Sequence, residues 1–160
     1  MSTFAVYPLN STSYGTKLTT PSPFSESNTN CVEFSPDNSV ISIGTSAGAF
    51  LSMYPFSAGF GTKYADPATA LPGSTNQQRF TPDGNNIIAA SNTTPFISAY
   101  PWNNLTGFGT KYANPSTLAA ASYSMDISST GTDIVIGGFA APFVNAYPWN
   151  NGFGTKYANP

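Results

Sequence analysis

The sequence contains no histidine and only one cysteine, and just 8% of its 160 residues are charged. The absence of histidine excludes the Ser–His and Cys–His nucleophile systems and most zinc sites. With Cys31 alone, no disulfide can form within the chain, and its apolar strand pattern predicts a buried, inert thiol. Five basic and seven acidic residues leave a net charge of −2, which provides no electrostatic footprint for nucleic acid or an anionic membrane.

Targeting and membrane-spanning patterns are also absent. The N-terminus lacks the basic, apolar and small-residue zones of a signal peptide, and no stretch has the apolar length needed to cross a bilayer. We therefore expect neither a membrane nor a nucleic-acid partner. Because solubility must come from Ser, Thr, Asn and Gly instead of ions, as in many extracellular and virion β-proteins, we expect a virion or extracellular location.

One sequence unit occurs four times along the chain. Each copy places an apolar stretch ending in Tyr-Pro ahead of a Gly-Thr-Lys segment, as in residues 96–101 followed by 107–115. The Tyr-Pro pairs lie 47, 46 and 47 residues apart. This period is typical of stacked supersecondary units, and of four-stranded propeller blades in particular.

Within each unit the apolar residues alternate with a period of two, which indicates strands and excludes long helices. The first complete unit predicts strands near 31–35, 40–44, 49–54 and 60–65, and the next two units repeat them at steps of about 46 residues. Turn residues such as Ser-Pro-Asp separate the first two strands, because Pro fixes φ and Asp tolerates the turn backbone.

The predicted fold is therefore all-β: a β-propeller-type array of four-stranded antiparallel blades in a single domain over residues 1–160. Counted from the N-terminus, the array begins with a two-stranded half blade and continues with three full blades. The half blade is 1–21, and the full blades are at about 30–67, 76–115 and 122–160. This is fewer than the four blades of the smallest typical closed propeller.

Short motifs carry a resemblance to a known family. Residues 34–37 and 80–84 resemble the Phe-Ser-Pro-Asp-Gly turn between the first two strands of WD-repeat-like β-propeller blades. The Tyr-Pro-Trp and Gly-Phe-Gly-Thr-Lys-Tyr-Ala-Asn-Pro combination is similar to propeller repeats of tailed-bacteriophage and environmental viral proteins. The Trp-Asp and Gly-His motifs of true WD repeats are absent, so their polar network is not carried over. The resemblance implies a scaffold that displays loops for binding, in a virion or appendage.

Two repeated side-chain types are candidates for a binding site. A lysine at one repeat position could bind sulfate, phosphate or acidic sugars, or it could protect a strand edge from pairing. An aromatic residue after Tyr-Pro could stack on a sugar, or it could pack against the next blade. The candidate binding residues are Phe56, Trp102, Trp149, Lys63, Lys111 and Lys156. No catalytic residue, metal site or cofactor is predicted, since Asp37, Asp83 and Asp133 are assigned to turns.

These patterns favour a non-enzymatic structural or assembly protein, namely a viral (phage) virion or extracellular appendage component. Exposed blade faces at both ends predict association with other copies of the chain, as an oligomer or filament, or with other virion or appendage proteins. The alternative is a receptor- or glycan-binding module that uses the variable inter-blade loops at 21–30, 67–76 and 115–122. Its partner would be a glycan or a cell-surface receptor.

Overall fold

The computed structural model describes residues 5–24 and 28–160. In these ranges ten strands form three antiparallel sheets, and none of the described residues is helical. The predicted all-β class is therefore confirmed. Accordingly, the described part of the chain has no helix long and apolar enough to span a membrane.

Each sheet is built from strands that are consecutive in the sequence. The first sheet contains β1 (Thr29–Phe34), β2 (Val40–Thr45) and β3 (Leu51–Pro55). The second contains β4 (Thr75–Phe80), β5 (Asn86–Ser91), β6 (Ile97–Asn103) and β7 (Gly107–Phe108). The third contains β8 (Ser122–Ile127), β9 (Asp133–Gly138) and β10 (Val144–Pro148). The first two strands of each unit therefore lie close to where the apolar alternation predicts them.

The third strand of each unit starts later than the alternation predicts. A phenylalanine with left-handed backbone precedes it each time: φ is 63° at Phe50, 68° at Phe96 and 60° at Phe143. An L-residue with a bulky side chain rarely adopts this conformation, and it cannot continue an extended strand. The strand predicted at 49–54 is therefore Leu51–Pro55.

The fourth strands, predicted near 60–65 in the first complete unit and at the same position of the next two units, are largely wrong. In the described residues only β7 is a strand at this position, and the other two complete units have single bridges, Phe56 with Phe60 and Trp149 with Phe153. The proline near the end of each third strand explains the difference. Because proline has no amide N–H, it cannot donate the hydrogen bond that would continue the ladder.

The hydrophobic core consists of the interfaces between consecutive sheets. Leu51 and Met53 of the first sheet pack against Ile87, Tyr100 and Trp102 of the second, and all five side chains are buried. The next interface repeats this arrangement one unit later. Its members include Ile88, Ile97, Ile134, Ile136, Tyr147 and Trp149.

A buried tyrosine joins each third strand to the link in front of its own sheet. Its hydroxyl donates to a backbone carbonyl about thirty residues earlier in the chain. The three hydrogen bonds are Tyr54 to Pro23 at 2.8 Å, Tyr100 to Thr69 at 2.9 Å and Tyr147 to Thr117 at 2.8 Å. Since the tyrosine rings are fully buried, each hydroxyl has a partner that satisfies it.

The segment before the first sheet forms part of another unit. Leu9 and Tyr14 make an antiparallel bridge, and the Gly15 amide donates to the Pro8 carbonyl at 2.7 Å. Val6 packs against the buried cluster of Ile41, Ile43 and Tyr54 in the first sheet, which is separate from the cluster shared with the second sheet. We call residues 5–18 the opening hairpin.

Polar side chains connect the first strands of consecutive sheets. Asn30 Nδ2 donates to the Thr75 carbonyl at 2.9 Å, and Asn76 Nδ2 donates to the Ser122 carbonyl at 2.8 Å. Arg79 of β4 lies between two acidic neighbours: its guanidinium is 2.6 Å from Glu33 of β1 and 3.3 Å from Asp126 of β8. The first strands β1, β4 and β8 therefore follow one another side by side.

Candidate functional site

A cleft of about 270 Å³ lies where the turns of the first and second sheets meet. Three turns line it, at residues 35–37, 83–85 and 102–105. We call it the first cleft. It lies at the end of the sheets that carries the repeated Ser-Pro-Asp and Tyr-Pro-Trp turns. The alternative predicted from the sequence placed binding in the variable loops at 21–30, 67–76 and 115–122, at the opposite end of the sheets.

Asp37 contributes a carboxylate to the first cleft. Its Oδ1 accepts hydrogen bonds from Ser35 Oγ at 2.5 Å and from the Ser39 amide at 3.1 Å. These donors, with the Ser35 hydroxyl first, lower the pKa of Asp37 to about 2 because they stabilise the charged form. Asp37 is therefore ionised at neutral pH, and a ligand donor would share its oxygens with Ser35, Ser39 and Asn104.

Asn104 connects the two sheets at this cleft. Its Nδ2 donates to Asp37 Oδ2 at 3.0 Å and to Ser39 Oγ at 2.9 Å, both in the turn of the first sheet. Its Oδ1 accepts from Trp102 Nε1 at 2.7 Å, and its backbone carbonyl accepts from the Tyr64 hydroxyl at 2.6 Å. These contacts fix the orientation of the amide and of the indole edge beside it.

Asp83 contributes a second carboxylate. Burial raises the pKa of Asp83. Hydrogen bonds from Thr81 and Asn85 lower it by more, so the pKa lies below the ordinary value of an aspartate. The Asn85 amide nitrogen lies 3.0 Å from Oδ1, and Asn85 Nδ2 lies 2.9 Å from Oδ2. None of the described residues that line the first cleft is basic. The site therefore has a negative electrostatic potential.

A second cleft of about 450 Å³ lies one unit later, between the turns of the second and third sheets. Asp83 and Trp149 line it, but Thr130 stands where the first two units have aspartate. Asp133, assigned to this turn from the sequence, is instead the first residue of β9 and accepts from the Tyr157 hydroxyl at 2.7 Å. The second cleft therefore has one lining carboxylate where the first has two.

The structure buries both tryptophans among the predicted binding residues. Trp102 and Trp149 are 4% and 5% exposed, and Tyr64 and Tyr112 of the preceding units pack edge-on against them, at 4.9 and 5.2 Å between ring centroids. Phe56 is half-buried against other aromatic rings. Of these three, only the tryptophans border either cleft, and a direct role in binding stays a prediction for all three.

The three predicted lysines do not converge. Lys63 pairs with Asp66 at 2.8 Å, Lys111 donates to Asn114, and Lys156 donates to Asn159. Each partner lies three residues further along the same unit. None of the lysines lines either cleft, and their role in ligand binding stays a prediction.

Cys31 is less buried than the sequence predicts, since it lies on a first strand that is only partly covered. Its Sγ donates to Gln78 Oε1 at 2.5 Å. Burial raises the pKa of the thiol to about 12, so the predicted low reactivity has a physical basis. Among the residues that the structure describes, no group of three or more cysteine and acidic side chains could hold a metal ion.

The sequence placed Asn104 in a polar turn but indicated no role for it in a site. The signal was present, because the turn in the second unit contains two residues, Leu105 and Thr106, that the matching turn at 150–151 lacks. Asn103 Oδ1 holds this longer turn by accepting from the Leu105 amide at 2.8 Å and the Thr106 amide at 3.2 Å. A departure from the repeat marked this site better than the repeated residues did.

In fold, the chain is similar to the crystal structure of a proposed 6-phosphogluconolactonase from Bacteroides fragilis NCTC 9343. The TM-score is 0.67 with 12% sequence identity, over 79% of this chain and 36% of that one. A proposed 6-phosphogluconolactonase from Bacteroides uniformis ATCC 8492 has a TM-score of 0.62 and 16% identity, over 79% of this chain and 37% of that one. The chain thus spans little more than a third of each neighbour. No protein-family model and no curated protein matches the sequence.

These comparisons correct the expected family. The neighbours are bacterial proteins of the 6-phosphogluconolactonase type, and the likeness to WD-repeat-like blades of tailed-bacteriophage and environmental viral proteins is not supported. The motifs behind that resemblance have local causes. In the structure, Asp37 and Asp83 accept hydrogen bonds within their own turns, which is general turn chemistry and not the mark of one family.

The expected function is also corrected. A non-enzymatic structural or assembly role in a virion, with the receptor- or glycan-binding module as its alternative, is contradicted by the two neighbours of similar fold, which are both named for an enzyme. The prediction that the chain is not an enzyme is wrong for the same reason. The physical cause is that repeated residues report packing between sheets, which a protein of this fold needs whatever its activity.

Proposed function

We propose that the chain is part of a β-propeller hydrolase that binds and opens a neutral sugar lactone in the first cleft. One observation carries the proposal: two ionised carboxylates, a fixed asparagine and an indole edge meet in one cleft of a fold that proteins named as 6-phosphogluconolactonases share. Concave sites with a few convergent polar groups are where small ligands usually bind.

The propeller is the finer fold that we propose for the three sheets. Side-by-side first strands, joined by Asn30 and Asn76, support a radial arrangement in which these strands are innermost. The sheets are then blades at about 30–67, 76–115 and 122–160, after a half blade at 1–21, in one domain over 1–160. An extracellular location, and the lack of nucleic-acid and membrane partners, belong to the same proposal.

The charges of the first cleft determine the substrate class. Carboxylates that are ionised accept hydrogen bonds from sugar hydroxyls, and charge-assisted bonds of this kind are the stronger ones. A phosphate group carries negative charge, and Asp37 and Asp83 would repel it without a basic residue nearby. We therefore assign an unphosphorylated lactone to this chain, in contrast to the phosphorylated substrate in the neighbours' names.

The reaction that we propose is lactone hydrolysis. A water molecule attacks the ring carbonyl carbon, the bond from that carbon to the ring oxygen breaks, and the ring oxygen takes up a proton, so that a sugar acid is formed. Since the pKa of Asp37 is about 2, its carboxylate is a weak base, and its role is to orient the water as a hydrogen-bond acceptor. The Nδ2 group of Asn85 carries two protons. One of them bonds Asp83, and the other can be donated to the substrate.

The test is proton release during hydrolysis of glucono-1,5-lactone and of its 6-phosphate, corrected for the uncatalysed rate. Catalysis with a preference for the neutral lactone supports the proposal, and Asp37→Asn and Asp83→Asn should each lower kcat/KM by about tenfold or more. Asp66→Asn is the matched control, because Asp66 pairs with Lys63 away from the cleft. No catalysis, or equal loss in the control, would reject it.

A further inference from the structure

The tyrosine that follows Gly-Thr-Lys is held in the same way by the main chain in all three complete units. Its amide donates to a carbonyl of the third strand of its own sheet. The three bonds are Tyr64 to Met53 at 3.0 Å, Tyr112 to Ala99 at 2.9 Å and Tyr157 to Ala146 at 2.9 Å. Because Tyr64 and Tyr112 also pack edge-on against a tryptophan of the next sheet, the difference between these two residues lies in their hydroxyl groups.

Two of the three hydroxyls bond within their own sheet. Tyr112 donates to Asn86 Oδ1 at 2.8 Å, and Tyr157 donates to Asp133 Oδ1 at 2.7 Å. Both acceptors begin the second strand of their sheet and pair with the proline of the third strand. In the first complete unit this position is Val40. Since valine has no acceptor in its side chain, the first unit lacks the bond that the other two tyrosines make.

The Tyr64 hydroxyl bonds to the next sheet instead. It donates to the backbone carbonyl of Asn104 at 2.6 Å, in the longer turn at 103–106. The side chain of Asn104 contacts Asp37 at 3.0 Å and Trp102 at 2.7 Å. Tyr64 itself does not line the first cleft. Any effect of its hydroxyl on the cleft is therefore transmitted through Asn104.

We propose that Tyr64 is a positioning residue of the first cleft, and that Val40 leaves its hydroxyl available for this role. The hydroxyl holds the main chain of Asn104, so that the Asn104 amide stays directed at Asp37 and Trp102. Small displacements of groups that position a substrate are costly in rate, because catalysis depends on their geometry. The consequence for catalysis rests on the proposed function, whereas the fixed position of Asn104 does not.

The indole protons of the two tryptophans provide a direct measurement, because the chain contains only Trp102 and Trp149. Tyr64→Phe keeps the aromatic ring and removes the hydroxyl. In this variant the Trp102 indole proton, which bonds Asn104 Oδ1, should exchange with solvent about three- to tenfold faster, measured by proton–nitrogen NMR. If the chain hydrolyses glucono-1,5-lactone, kcat/KM should fall by a similar factor.

Tyr112→Phe is the matched control. It removes a tyrosine hydroxyl at the same repeat position, but that hydroxyl bonds Asn86 within its own sheet. Both the exchange of the Trp102 indole proton and kcat/KM should stay unchanged. Thermal unfolding of each variant measures any general loss of stability.

Val40→Asn tests the role of Val40. Asparagine is accommodated at this position in the second unit, where Asn86 is 2% exposed. The new acceptor should draw the Tyr64 hydroxyl away from Asn104 and speed the exchange of the Trp102 indole proton as Tyr64→Phe does. The double variant should exchange no faster than Tyr64→Phe alone, because both changes remove the same hydrogen bond.

Equal exchange of the Trp102 indole proton in Tyr64→Phe and Tyr112→Phe would overturn the proposal. So would a fall in kcat/KM without faster exchange, since Tyr64 would then act other than through Asn104. A wild-type chain without lactonase activity rejects the proposed function alone, and the exchange rates still decide whether Tyr64 positions Asn104.

Discussion

Replacement of Gly109 by alanine should destabilise the protein. Gly109 lies against the ring of Pro101, and a Cβ at this position would be 2.9 Å from the Pro101 Cβ and 3.1 Å from its Cγ. Carbon atoms in ordinary contact are about 3.5 to 4.0 Å apart. The other two complete units have the same contact, Gly61 with Pro55 and Gly154 with Pro148.

The magnitude follows from this overlap. Relief requires a shift of about 0.6 Å or more of two backbone segments that a 2.8 Å hydrogen bond holds together, from the Gly109 amide to the Pro101 carbonyl. Overpacking of this kind costs about 1–3 kcal/mol. For a chain of this length that corresponds to a decrease in Tm of about 2 to 12 °C. Urea unfolding followed by circular dichroism gives the free energy, and a thermal scan gives Tm.

Gly59→Ala is the control for this prediction. Nothing lies within 4 Å of a Cβ built at Gly59, and its φ is not positive. Alanine there should leave stability unchanged or raise it by about 0.4–1 kcal/mol, since it restricts the unfolded chain. We attribute the occurrence of this glycine with this proline in every unit to the close contact between them. If Gly109→Ala is as stable as Gly59→Ala, that explanation is wrong.

Three further predictions concern other residues. Tyr100→Phe removes the hydrogen bond to the Thr69 carbonyl and should cost about 1 kcal/mol of unfolding free energy, measured in urea. Cys31 should react slowly with a thiol reagent at pH 8, because a pKa of about 12 leaves a thiolate fraction on the order of one in ten thousand. Asp37 has a folded pKa below its unfolded one. The ionised carboxylate therefore stabilises the protein above about pH 4, and the measured free energy of unfolding should fall as pH decreases toward 2. Asp37→Asn should lack this part of the decrease.

The sequence predicted the strands well where backbone and side-chain patterns agree. The alternation in 40–44 and the turn residues before it lead directly to β2. It failed where one residue overrides the pattern. The left-handed Phe50 delays β3, and Pro55 stops the ladder that would have made a full fourth strand. Neither effect is visible in an apolar period of two.

The candidate site was less accessible to sequence reasoning. Trp102 was singled out, but its indole lies almost entirely in the interface, and its Nε1 matters because it orients Asn104. That contact depends on the turn at 103–106 meeting the turn at 35–37 of another sheet. Local patterns carry no information about such a meeting, which only the packing of the sheets creates.

A site that occupies one of several similar clefts must differ from its counterparts, because identical clefts would bind alike. The first cleft has this property. Asp37 and Asp83 both line it, whereas Thr130 removes one carboxylate from the second, and only the first has the longer turn that carries Asn104. Residues that the three complete units share, such as the tyrosine before proline, make the same hydrogen bond in each of these units. In this chain, identity between units therefore reports the fold, and the differences between units are where a binding function is to be sought.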